Sequence, residues 1–141
     1  MYKKILVALD NSSTDRAMFP HITELARLHR SELLLVHIAD GWAARNYTRF
    51  ELADSEEMKA DRVYLAQMVT DLSAQGLEVK AELGLGEPAT EILKIAEAQK
   101  CDLIAMTTHG HRFLNDLIYG STITQVRHQA KVPVLLVNAA K

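Results

Sequence analysis

Apolar positions along this chain fall into two kinds of run. Ile5-Leu6-Val7-Ala8-Leu9 is continuous, as are Leu33 to Val36 within Glu32 to Ile38, Leu103 to Met106 and Pro133 to Val137. Continuous runs of this length suit strands buried on both faces of a parallel sheet. Leu77, Val79, Ala81 and Leu83 alternate with polar residues instead, which predicts a half-exposed edge strand. Between these runs the spacing becomes helical. Ala17, Met18, Ile22, Leu25, Ala26 and Leu28 predict a helix over about Thr14 to Arg30, with Pro20 expected to kink it. Asp54 or Ser55 is placed to cap a longer helix reaching about Ala74, with Met58, Val63, Leu65, Met68, Val69 and Leu72 facing inward and Gly76 ending it. Pro88 opens a third helix at its favoured first position, and Gly120 to Ala130 reads as the last. Ala39 to Ala53, with Trp42, Tyr47 and Phe50, reads as an irregular connection.

Strand and helix therefore alternate, βαβαβαβαβ. Alternation implies a five-stranded parallel sheet with helices on both faces and right-handed crossovers. The expected strand order is 3-2-1-4-5, which reverses between the first and fourth strands. Ligands of such sheets bind beyond the carboxyl ends at that reversal. Asp10 after the first strand should then stand beside Thr107 to Gly110 after the fourth.

A length of 141 residues suits one domain, spanning 1–141. Apolar content of 48% and charged content of 24% are those of an ordinary globule. The net charge of −2 with no basic block argues against nucleic acid as the main partner. Cys101 is the only cysteine, which removes an intrachain disulfide and any cysteine-based metal site and fits a reducing compartment. No apolar run reaches the roughly 20 residues that span a bilayer. The expected location is the cytoplasm.

The candidate chemistry lies between Thr107 and Thr122. If Gly120 and Ser121 open a helix, their free backbone N–H groups and the dipole suit a phosphate. The plainer alternative is a flexible loop with a serine cap. Asp10 has two readings of equal weight: a cap for the first turn, or an acceptor for a ribose hydroxyl or base amino group. No Gly-Lys-Ser/Thr is present in the loop, so it is not a Walker P-loop. Gly84-Leu85-Gly86-Glu87-Pro88-Ala89 satisfies G-x-G-x-x-A, but Pro88 removes one N–H from the helix start, and a plain βα turn is the better reading. His109 and His111 lack neighbouring carboxylate or thiol ligands and make a poor metal site. His37 reads as a hydrogen-bonded interior histidine and Cys101 as an inert filler. No Ser-His-Asp arrangement or general base is identifiable.

These residues resemble the universal stress protein family in its single-domain, ATP-binding branch. The resemblance runs through Lys4 to Asp10, Leu35-Val36-His37-Ile38, Gly86-Glu87-Pro88-Ala89, Asp102-Leu103-Ile104 and Val132 to Val137. The branch pattern is Gly-x-x-Gly, nine residues, then Gly-Ser/Thr; here nine residues separate Gly110 from Gly120-Ser121. Thr107 stands where the first glycine is expected, a poor fit if the backbone there needs positive φ. The resemblance implies flavodoxin- or Rossmann-like layering and ATP as ligand, with or without Mg²⁺. Ala8, Asp10 and Ile38 would border adenine and ribose. Met106, Thr107, His109 and Gly110 would line ribose and phosphates, and Gly120, Ser121 and Thr122 would hold the phosphates. It further implies a homodimer through the last strand, Val134 to Val137, and a nucleotide-dependent regulator or switch in the stress response. The alternatives are slow ATP hydrolysis or self-phosphorylation at Ser121 or Thr122, and a non-nucleotide dimeric interaction protein that has lost the site.

Overall fold

A computed structural model describes residues 1–39, 56–108 and 116–139, with the backbone alone for 116–120. The elements in order are strand β1 (Lys4–Ala8), a 3-10 turn (Ser13–Ala17), helix α1 (Phe19–His29), β2 (Glu32–Ala39), α2 (Glu56–Ser73), β3 (Glu78–Leu85), α3 (Pro88–Ala98), β4 (Leu103–Thr108), α4 (Asp116–Gln129) and β5 (Val134–Asn138). The five strands form one parallel sheet in the order β3-β2-β1-β4-β5. The expected order and its reversal between β1 and β4 are both present.

Period-two alternation divides the core. Ile5, Val7 and Leu9 point to one face with Leu33, Leu35, Leu103 and Ala105, where they meet Met18, Ile22 and Ala26 from the first helical stretch and Leu65 and Leu72 of α2. Leu6, Leu34, Val36, Ile104 and Met106 point to the other, against Ala89, Ile92, Ile95 and Ala96 of α3 and Val126 of α4. Strand β1 is buried on both faces because it lies in the middle, with Ile5, Leu6 and Val7 all at 0% exposure. Strand β3 lies at an edge and is exposed or half-buried along its length, as its alternation predicts.

Three expectations need correction. The first helical stretch is not one kinked helix. A 3-10 turn capped by Ser12 ends at Ala17, and α1 starts afresh with Pro20 in its first turn. Proline has no N–H to continue an existing helix but fits a first turn, so the chain breaks before it rather than bending at it. Val63 is 70% exposed rather than inward; Leu65 and Leu72 take the inward positions of α2, and Val63 lies off that stripe. Helix α4 is already formed at Asp116, ahead of Gly120. A glycine inside a helix costs only about 1 kcal/mol relative to alanine. Trp42, Tyr47, Phe50, Asp54 and Ser55 lie outside the described residues.

Candidate functional site at the carboxyl ends of β1 and β4

A cavity of about 480 Å³ opens beyond the carboxyl ends of the central strands. Its size lies within the roughly 300–1,000 Å³ typical of small-molecule sites. Ala8, Asp10, Ile38, Met106, Thr107 and Thr122 line it together. The sheet reversal brings them together: β1 pairs with β2 on one side and β4 on the other. Thr107 is 9% exposed and Thr122 8%. Gly120 and Ser121 lie within α4 rather than at its opening, and Ser121 is exposed. His109, Gly110, His111 and Phe113 lie outside the described residues.

Thr107 lies within β4 and is not among the residues at positive φ. The steric objection to threonine at this position therefore falls away, since extended backbone suits a β-branched residue.

The cavity has an apolar side and a polar side. Val36, Ile38, Ile92 and Met106 supply apolar wall suited to a flat ring, with Ile123 beside them. Asn11, His37, Glu57 and Asp61 supply the polar side together with Asp10. The Asp10 carboxylate accepts from Ser12 Oγ at 3.0 Å and Thr14 Oγ1 at 2.8 Å. It thus stabilises its own turn, the first of its two sequence readings, and Asp10 also lines the cavity. His37 Nδ1 meets the Leu9 carbonyl oxygen at 2.9 Å, the hydrogen-bonded interior role expected for it. Its Nε2 lies 3.4 Å from Asp61 Oδ2.

Sequence reasoning missed the support under this wall. Asp15 is 0% exposed. Its Oδ1 accepts the Asp10 N–H at 2.9 Å and its Oδ2 the Asn11 N–H at 2.9 Å and the Tyr64 hydroxyl at 2.9 Å. Burial pushes the Asp15 carboxyl above the ordinary range against the opposing pull of those donors, and burial likewise raises the Tyr64 phenol. Asp61 was missed as well; its Oδ1 accepts from Asn11 Nδ2 at 2.8 Å. The spacing of Asp61 and Tyr64 on one face of a predicted helix was the available signal, but it does not say which loop that face meets.

The G-x-G-x-x-A stretch is a βα connection. Gly84 belongs to β3, and Gly86 turns at φ 131°. Glu87 accepts from the N–H groups of Ala89 and Thr90 and so caps α3. Its carboxylate occupies the place where a phosphate would bind. Among the described residues no group of three or more His, Cys, Asp or Glu is arranged to hold a metal ion, and no helix is long and apolar enough to cross a membrane.

The layering and the crevice define the class: a parallel α/β domain whose cavity lies at the topological switch point of its sheet. The chain belongs to the universal stress protein family, which matches residues 1–138. It is 30% identical to the universal stress protein MJ0577 of Methanocaldococcus jannaschii, covering 97% of this chain and 95% of that protein. It is also 30% identical to MJ0531 of the same organism, covering 100% and 85%. The solved structure of MJ0577 superposes with a TM-score of 0.79 at 31% identity over 98% of this chain and 96% of that one. The same fold is seen, at 22% identity and TM-score 0.71 over 96% and 98% of the two chains, in the universal stress protein of Archaeoglobus fulgidus solved in complex with dAMP.

Proposed function

We propose that this protein is a single-domain adenine-nucleotide-binding stress protein, with ATP as its ligand, acting as a nucleotide-dependent regulator or switch. The observation that carries this reading is the shared cavity of Asp10 after β1, Met106 and Thr107 in β4, and Thr122 in α4. Its apolar wall is chemically suited to adenine. The Asp10 carboxylate suits a ribose hydroxyl or base amino group, since it can only accept when ionised. The hydroxyls of Thr107 and Thr122 can donate to phosphate oxygens. We assign His109, Gly110, Gly120 and Ser121 to the phosphate end by resemblance to the family pattern. That a family member is solved with dAMP supports an adenine nucleotide as the ligand class. We further place the protein in the cytoplasm and propose a homodimer through β5. That strand is an edge of the sheet and leaves Val134, Leu135 and Leu136 only partly covered, a liability that pairing with a second copy removes.

Titration calorimetry with ATP and AMP tests the reading. Saturable binding is expected, and no heat up to millimolar ATP contradicts it. A second reading, slow hydrolysis or self-phosphorylation, draws on Thr122 lining the cavity and Ser121 being exposed beside it. Any such turnover is slow, because no base is identified and the Walker lysine is missing. Incubation with γ-labelled ATP separates it: phosphate release or protein labelling above that of a Ser121→Ala, Thr122→Val control supports it. A non-nucleotide dimeric protein, the third reading, gives neither heat nor label.

A further inference from the structure

The turn after β1 is held from behind. Asn11 stands at φ 58°, in the left-handed region. Asparagine visits that region more readily than most non-glycine residues, and in this turn hydrogen bonds to its main chain and side chain hold it. Here two residues of α2 do the fixing. Asp61 accepts from the Asn11 side chain at 2.8 Å. Tyr64, one helical turn further on the same face, donates to Asp15 Oδ2 at 2.9 Å. Asp15 in turn accepts the main-chain N–H groups of both Asp10 and Asn11. Asp10 and Asn11 line the cavity, whereas Asp15 and Tyr64 are not part of its lining.

We propose that Tyr64 and Asp15 are positioning residues for the nucleotide: acting through the main chain of Asp10 and Asn11, they hold the Asp10 carboxylate in its place on the cavity wall. The inference rests on the nucleotide reading above. Its physical content is preorganisation. A bound ligand need not order a turn that buried hydrogen bonds have already fixed. Deleting the Tyr64 hydroxyl leaves the buried Asp15 carboxylate with its main-chain donors alone, and the turn gains freedom that binding must then remove. Nothing in the apolar wall changes.

The test is a double-mutant cycle read by ATP titration on the full chain: wild type, Tyr64→Phe, Asp10→Asn and the double variant. Tyr64→Phe is expected to weaken ATP by roughly two- to tenfold, the span of one net hydrogen bond. In the Asp10→Asn background the same substitution is expected to do less, because its effect passes through that carboxylate. A purely structural role gives the same loss in both backgrounds, and that result overturns the proposal. So does wild-type affinity in Tyr64→Phe. If Tyr64→Phe fails to fold, Asp15→Asn takes its place in the cycle with the same two readings. A wild-type protein that binds no ATP sinks the nucleotide reading itself. A binding wild type with an indifferent Tyr64→Phe sinks the positioning role alone.

Discussion

The imidazole of His37 bonds the carbonyl oxygen of Leu9 at 2.9 Å and so ties β2 to the chain leaving β1. A carbonyl oxygen only accepts, so the contact assigns the proton to Nδ1. Replacing His37 by leucine removes the donor and leaves a partly buried oxygen unpaired. A loss of about 1–3 kcal/mol is expected, with His37→Gln losing less because its amide can still donate. Urea denaturation midpoints check the order, and equal midpoints for the two variants contradict it.

Gly84 is paired with Ile38, a cavity residue, across β3 and β2. A Cβ at Gly84 meets Ile38 Cδ1 at 2.6 Å and Ile95 Cδ1 at 3.4 Å. Gly84→Ala should therefore turn the end of the Ile38 side chain aside, at a small cost in stability because that methyl is the far end of a side chain, and weaken ATP binding. Ile38→Val removes the offending methyl. The double variant is expected to recover part of both losses, measured by thermal melting and ATP titration. Additive damage in the double variant speaks against this packing.

Burial pushes the Cys101 thiol up to about 11, and the residue is 5% exposed. The thiolate is the reactive form. Iodoacetamide at neutral pH should leave the native protein unmodified and label it fully in denaturant, as intact mass shows. Rapid labelling of the native state contradicts the burial.

Asp15 and Glu87 should respond to pH in opposite senses. Burial raises the Asp15 carboxyl above its ordinary value. The native state then holds that proton more tightly than the unfolded state. The contribution to stability is therefore present below the unfolded value and lost as pH rises through the native one. For Glu87, hydrogen bonds from the Thr90 hydroxyl and the α3 N–H groups hold the carboxyl below its ordinary value. Its contribution is present above the unfolded value and lost as pH falls through the native one. From about pH 3 to neutrality, wild type should lose ground against Asp15→Asn and gain it against Glu87→Gln. The gain is small because Glu87 is solvent-screened. Denaturant curves across that range read both slopes, and slopes of the same sign contradict the assignment.

The sheet was legible because its signal is local and repeated. Ile5 to Leu9 reads as a strand covered on both faces, and Asp10 to Ser13 are turn or cap formers. Once the alternation is set, the strand reversal puts Asp10 and Thr107 on one cavity without knowledge of any side-chain contact. Glycine suggests a helix start at Gly120, whereas the chain is already helical from Asp116 and carries Gly120 within α4. Pro20 was read as a kink because the apolar spacing runs across it; the missing N–H decides for a break. Asp15, Asp61 and Tyr64 were illegible for another reason. Asp61 and Tyr64 pair with Asn11 and Asp15, and only the packing of α2 over the β1 turn makes them neighbours; Asp15 folds back on Asp10 and Asn11 within that turn. Val63 failed because an inward stripe on a helix of mixed polarity is not unique.

The most direct test of the central claim is amide chemical-shift mapping of the labelled protein during titration with ATP. The account predicts saturable shifts gathered at Asp10, Asn11, Ile38, Thr107 and Thr122, on the crevice between β1 and β4. Shifts gathered at the Gly86 to Thr90 turn, or none at millimolar ATP, would contradict it.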